Sequence, residues 1–142
     1  SETDFAPFKG LNHAPMAMTA HIVYADIDSD HPATQSAELV GKVIRGEIGF
    51  DGLLMTDDLS MKALTGTFRE RGERSLKAGC DMLLHCNGQM GEMIAVAEGT
   101  AALSGKALER AATAESARDV IEDFDPEDAE SRLNDCLDRL SA

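Results

Sequence analysis

Asp57 and Asp58 stand side by side in "GFDGLLMTDDLSMKAL", which runs from Gly49 to Leu64, behind a short apolar run that carries no basic residue. Adjacent carboxylates at such a place have three chemical readings. They cap or turn the loop that follows, they bind a hard cation such as Mg²⁺, or one of them is a nucleophile or base. Spacing alone does not choose among them. Two histidines also fall near the ends of apolar runs, His21 in "MTAHIVY" and His85 in "MLLHC". Such residues ligate metals or carry protons, although a histidine satisfied by structural hydrogen bonds is commoner. His13 and His31 lie in loop-like sequence. Met16, Met18, Met55, Met61 and Met82 read as core or pocket lining. No HExxH, Walker loop, GxGxxG or GxSxG occurs. Cys80, Cys86 and Cys136 form no CxxC pair and are odd in number, which argues against a disulfide framework and for buried thiols in a reducing compartment.

The elements that must position these groups follow from three apolar runs: "MAMTA" (Met16 to Ala20), "GLLMT" (Gly52 to Thr56) and "MLLHC" (Met82 to Cys86). None alternates, as a half-exposed antiparallel strand would. Uninterrupted runs are what a parallel sheet covered on both faces requires. Each precedes helix-compatible sequence. In the first helix, Thr34 or Ser36 caps and Leu39, Val40, Val43 and Ile44 form the buried stripe, with Gly49 ending it. The second runs from about Thr67 to Ala78, with Leu64, Phe68, Gly72 and Leu76 near one face and Gly79 as a left-handed cap. The third starts near Gln89, with Met90, Met93, Ile94, Ala97 and Ala101 at helical spacing. Repeated strand and helix spell βαβ units with right-handed crossovers.

Beyond Ser104 the pattern becomes two helices with a turn near Asp123 to Pro126. Asp125 caps the second, Pro126 takes its first position, and Ala129, Leu133, Leu137 and Leu140 make a stripe. The predicted division is therefore 1–104 for the βα units and 105–142 for C-terminal helices. The chain has 142 residues and a net charge of −13, so an electrostatic grip on nucleic acid or an anionic membrane surface is disfavoured. No apolar run approaches the roughly 18 residues of a membrane span. "SETDFAPFKG" has neither the basic nor the apolar region of a signal peptide. Three parallel strands leave two unpaired edges, which a closed (β/α)₈ barrel of about 250 residues removes. The predicted fold class is α/β: the C-terminal portion, about strands six to eight, of a TIM barrel.

Taken with its neighbourhood, "GFDGLLMTDDLSM" resembles the nucleophile motif of bacterial β-N-acetylhexosaminidases of the NagZ type, in glycoside hydrolase family three. "DFAPFKGL" followed by "APMAMTAHIVYADIDSDHPATQS" resembles the surroundings of the sixth barrel strand, and "LKAGCDMLLHCN" resembles the eighth. The resemblance spans roughly Asp4 to Asn87. It implies that Asp57 is the catalytic nucleophile, that Asp58 supports the loop, and that Met61 and His21 line the sugar pocket. Thr56 stands where the family usually has Ser, and Ala25 where it often has Pro. Neither change touches the carboxylate.

The implied activity is that of a retaining β-N-acetylglucosaminidase. It releases terminal GlcNAc from GlcNAc-anhydro-N-acetylmuramic acid and its peptides, in cytoplasmic peptidoglycan recycling, with no metal or cofactor. In this family the acid/base is a histidine paired with an aspartate on a mobile loop after strand five, which this sequence does not contain. "SETDFAPF" resembles the segment leaving that loop, and exposed loops are preferred sites of nicking. The expectation is that an N-terminal half with strands one to five accompanies this chain as a separate chain or segment. The alternative is a non-catalytic barrel fragment or interaction module.

Overall fold

The computed structural model describes residues 3–119 and 124–140. A short helix, α1 (Ala6–Lys9), precedes a central three-stranded parallel sheet in the order β1 (Met16–Met18), β2 (Leu53–Asp58), β3 (Met82–Leu84). Met16, Ala17 and Met18 pair with Leu53, Leu54 and Met55, and Met55 pairs in turn with Met82. Sequential strands therefore lie side by side, as βαβ units demand.

The two faces of this sheet differ. Ala17 and Leu54, register partners, share a core with Val40, Phe50 and Cys80 beneath the helix at Leu39–Glu47. Burying a side chain such as Leu54 contributes about 1.5–3 kcal/mol. On the opposite face Met16, Met18 and Met82 are 44%, 51% and 38% exposed, although Leu53 is buried. The expectation of strands covered on both faces fails here. Helices cover one side, whereas nothing among the described residues roofs the methionines.

Strand lengths also differ from expectation. β1 and β3 stop after three residues, while β2 runs on through both acids. Pairing with β3 carries it that far. The Thr56 hydroxyl accepts from Leu84 N at 2.9 Å, Leu59 N donates to Leu84 O at 2.9 Å, and the register shifts between Met55 and Asp58. Irregularities of this kind re-aim side chains. Serine carries the same hydroxyl, so exchange of Thr and Ser at position 56 keeps this bond.

The Leu39–Glu47 helix is wound with π geometry rather than as the expected α-helix; Ile48 N reaches Val43 O at 2.8 Å. Its predicted stripe holds, with Leu39, Val40 and Val43 buried, and Ser36 Oγ accepts from Leu39 N at 3.1 Å. Thr34 instead sits in the 3₁₀ turn Ala33–Gln35. Helix α2 (Phe68–Ala78) begins in a reciprocal capping box between Thr67 and Glu70 and ends at left-handed Gly79, φ 112°. A Cβ on Gly79 would also lie 2.9 Å from Val40 Cγ1, so backbone and packing both call for glycine. Helix α3 (Met90–Glu98) departs from its predicted stripe. Val96 is its buried residue, packing with Leu59 and Leu64, while Met90, Met93 and Ile94 remain exposed.

Helix α4 (Gly105–Ser116) is tied to the start of the sheet by Arg110, which reaches Asp51 and Asp81. Helix α5 (Pro126–Leu140) starts with Asp125 Oδ1 accepting from Glu127 N at 2.9 Å, and its Leu133 and Leu137 are exposed. Asp123, the first residue of the predicted turn, and the side chain of Leu140, the last of the stripe, lie outside the described residues. All three cysteines are free. Cys80 alone is buried, and burial pushes its thiol up to about 12, whereas Cys86 and Cys136 are exposed, against expectation. No described helix is long and apolar enough to cross a membrane.

Candidate active site at the end of strand β2

The two acids end β2, at the C-terminal edge of the parallel sheet, where ligands gather in α/β architectures. Their environments separate them. Asp57 is half-buried and lies inside the register shift between Met55 and Asp58, where the ladder no longer dictates which face a side chain takes. Its Oδ1 accepts from Asp58 N at 2.7 Å. Asp58 is committed to structure. Oδ1 accepts from Ser60 N at 2.9 Å and Cys86 N at 3.1 Å, and Oδ2 accepts from Ser60 Oγ at 2.5 Å. Burial acts to raise its carboxyl, but the donors at Ser60 and Cys86 outweigh it and hold Asp58 below the usual carboxylate range.

The Asp58 carbonyl is held as firmly. It accepts from Met61 N at 3.1 Å and from His21 Nε2 at 3.0 Å. His21 Nδ1 meets Thr34 Oγ1 at 2.8 Å, and that hydroxyl lies 2.8 Å from Thr19 Oγ1 and 3.1 Å from Ala20 O. Both ring nitrogens of His21 are thus engaged by protein atoms. Met61 is 42% exposed on the loop after β2. Arg71 shapes that loop from α2, donating to Leu59 O at 2.7 Å, Met61 O at 3.3 Å and Gly66 O at 3.1 Å, with its guanidinium 4.9 Å from the Phe68 ring centre.

The structure therefore brings Asp57, Asp58, Met61 and His21 to one end of the sheet. Sequence reasoning missed Thr19, Thr34, Ser60, Arg71 and the Cys86 amide. The Asp-Leu-Ser spacing of Asp58 and Ser60 and the capping box ahead of Arg71 were local signals; the contacts of Thr19, Thr34 and the Cys86 amide join segments distant in sequence. His85 is a partner for Glu92, Nε2 to Oε2 3.0 Å, and Asn87 Nδ2 donates to the same oxygen. The His85 ring stacks obliquely near Phe68, on the helix-covered side. Among the described residues no three His, Cys, Asp or Glu side chains converge as a metal site needs. An apolar hollow of about 350 Å³ lies along β1, lined by Phe5, Phe8, Met16, Met18, Tyr24 and Ile44, and the two acids are not part of it.

If Asp58 orders this corner, Asp58→Ala should destabilise the fold by about 1.5–3 kcal/mol, the scale of hydrogen bonds to a charged group. A depressed carboxyl stabilises the fold fully above its unfolded value of about 3.9, and that contribution is lost as pH falls through the folded value. Melting temperatures of wild type and Asp58→Ala should therefore differ at neutral pH and converge in acid. A gap that persists unchanged at low pH would contradict this.

Comparison with known sequences places the chain. Residues 1–122 match the glycosyl hydrolase family 3 N terminal domain. The chain belongs to glycosyl hydrolase family 3. Among its relatives, a β-hexosaminidase of Tolumonas auensis is 41% identical over 102 residues, covering 68% of this chain and 30% of that protein. Among solved structures, NagZ from Neisseria gonorrhoeae in complex with zinc ion is 32% identical with a TM-score of 0.59, over 80% of this chain and 32% of that one. The β-N-acetylglucosaminidase from Thermotoga maritima is 31% identical with a TM-score of 0.56, over 78% and 27%. The chain thus spans about a third or less of the length of these relatives.

Proposed function

We propose that this chain contributes the nucleophile side of a retaining β-N-acetylglucosaminidase, with Asp57 as the attacking carboxylate. The observation that carries the reading is the division of labour at the end of β2: Asp58 is consumed by structural hydrogen bonds, while Asp57 stays half-exposed and accepts from the adjacent Asp58 N. A family of sugar hydrolases supplies the chemistry. In a retaining mechanism one Asp57 oxygen attacks the anomeric carbon as the aglycone leaves with a proton from an acid. Water, deprotonated by the same group, then releases the sugar from the ester. Asp58 and Met61 hold and flank the carboxylate.

The acid/base comes from the remainder of a (β/α)₈ barrel, of which residues 1–104 form the last three units and 105–142 form packing helices. The exposed Met16, Met18 and Met82 and the unpaired edges of β1 and β3 favour that reading, because such surface calls for further strands. The first five strands, on a separate chain or segment, are the matching partner. The names of the relatives support a β-linked GlcNAc substrate. We assign the physiological substrate to GlcNAc-anhydro-N-acetylmuramic acid and its peptides, in cytoplasmic peptidoglycan recycling. Ester trapping tests the mechanism. The complete barrel, treated with a fluorinated N-acetylglucosaminyl donor that slows ester hydrolysis, should carry the sugar mass on the peptide containing Asp57. Label on any other residue overturns the assignment.

A further inference from the structure

We infer that His21 is a positioning residue for the Asp57 nucleophile, acting through the main chain of Asp58 and not through the sugar; this rests on the reading of Asp57 above. A carbonyl only accepts, so the 3.0 Å contact requires that His21 Nε2 carry a proton and donate it to Asp58 O. That bond fixes the peptide plane just after Asp58. The neighbouring peptide, through Asp58 N, holds Asp57 Oδ1 at 2.7 Å. Two consecutive peptide units therefore connect the imidazole to the reacting carboxylate, and a rotation of one is felt by the other.

The ring is itself held from behind. Thr34 is fully buried, and its hydroxyl meets His21 Nδ1 at 2.8 Å. The same oxygen lies 2.8 Å from Thr19 Oγ1, which can donate to it, and its own single proton goes to His21 Nδ1 or to Ala20 O, so the side of the ring away from Asp58 is fixed to the end of β1 and to the 3₁₀ turn. A chain of bonds thus runs from Thr19 and Thr34 through His21 to Asp58 and ends at Asp57. It crosses from the segment after β1 to the end of β2, beyond Met18 and Met55, the last residues paired between those two strands. With both nitrogens engaged, His21 has no free nitrogen to offer a sugar hydroxyl while this chain of bonds is intact.

The test uses the complete barrel with an activated aryl N-acetylglucosaminide, following the rapid release of the aryl group that reports ester formation. His21→Leu should slow that step by up to about 10²-fold with little change in KM, because a misaimed nucleophile loses rate and not substrate contacts. His21→Gln, which can present an N–H to Asp58 O, should recover most of the loss. Thr34→Val, retaining shape but not the hydroxyl, should slow the same step to a smaller degree, and it serves also if His21→Leu does not fold. All rates are normalised to sites titrated with the ester-trapping fluorosugar, which removes any loss due to unfolded protein. An unchanged normalised rate in His21→Leu or Thr34→Val, or a rise in KM with the rate preserved, overturns the inference. Trapping on a residue other than Asp57 instead overturns the functional reading beneath it.

Discussion

If Asp57 is the nucleophile, Asp57→Ala should abolish turnover of the complete barrel, by about 10⁴-fold or more, while leaving the fold essentially intact. The size of the loss follows from covalent catalysis, since removing a nucleophile leaves only the acceleration due to binding and the other groups. The preserved fold follows from the packing. Asp57 is half-buried, and its bond to the adjacent Asp58 N contributes about 0.5–1.5 kcal/mol net. The smaller side chain also opens room on the face from which the carboxylate attacks. Azide, supplied with an activated aryl β-N-acetylglucosaminide, should therefore restore aryl release in Asp57→Ala and form the glycosyl azide of inverted, α configuration. Proton NMR of the product reads the configuration. A β-azide, or a variant whose hydrolysis rate stays near wild type, would remove Asp57 from the role of nucleophile.

What the amino-acid order made legible was the local part of this site. Short apolar runs placed all three strands, Ser36, Thr67 and Gly79 marked helix ends, and "TDD" marked the C-terminal end of β2. The gaps have a common physical cause. An uninterrupted apolar run looks the same whether both faces are covered or one awaits strands from elsewhere, so the exposure of Met16 and Met18 could not be foreseen. The register shift at Met55–Asp58 depends on Leu84, far along the chain, and it decides that both acids lie inside β2. The role of His21 is likewise written in contacts with Thr34 and Asp58, which only folding brings together. Helix α3 shows the same limit. Met90, Met93 and Ile94 have helical spacing, but periodicity does not say which side of a helix meets this sheet.

At the opposite end of the sheet, Asp81→Ala should be the most destabilising single carboxylate deletion, at about 3–5 kcal/mol. Asp81 has a side chain only 6% exposed and satisfies three donors. Its Oδ2 accepts from Arg45 Nη2 at 2.7 Å and from Leu54 N at 2.9 Å, and Oδ1 accepts from Arg110 Nη1 at 3.0 Å. Deletion would strand a buried backbone N–H of β2 between two guanidinium groups. Burial already pulls the Arg45 guanidinium down from its ordinary value, and the charge of Asp81 is the main force opposing that. Arg45 also donates to Phe50 O and Gly52 O, and Arg110 links α4 to Asp51, so the damage spreads to the start of β2. Asp51→Ala is the control, because Asp51 contacts the same Arg110 but is 67% exposed, where water replaces the lost partner. Urea denaturation of the complete barrel, followed by circular dichroism, should show a large fall in midpoint for Asp81→Ala and little for Asp51→Ala. Replacing Arg45 and Arg110 by Met together with Asp81→Ala should recover part of the loss, since the cost lies mainly in unpaired buried charge. Equal effects of Asp51→Ala and Asp81→Ala would show that burial does not set the strength of this network.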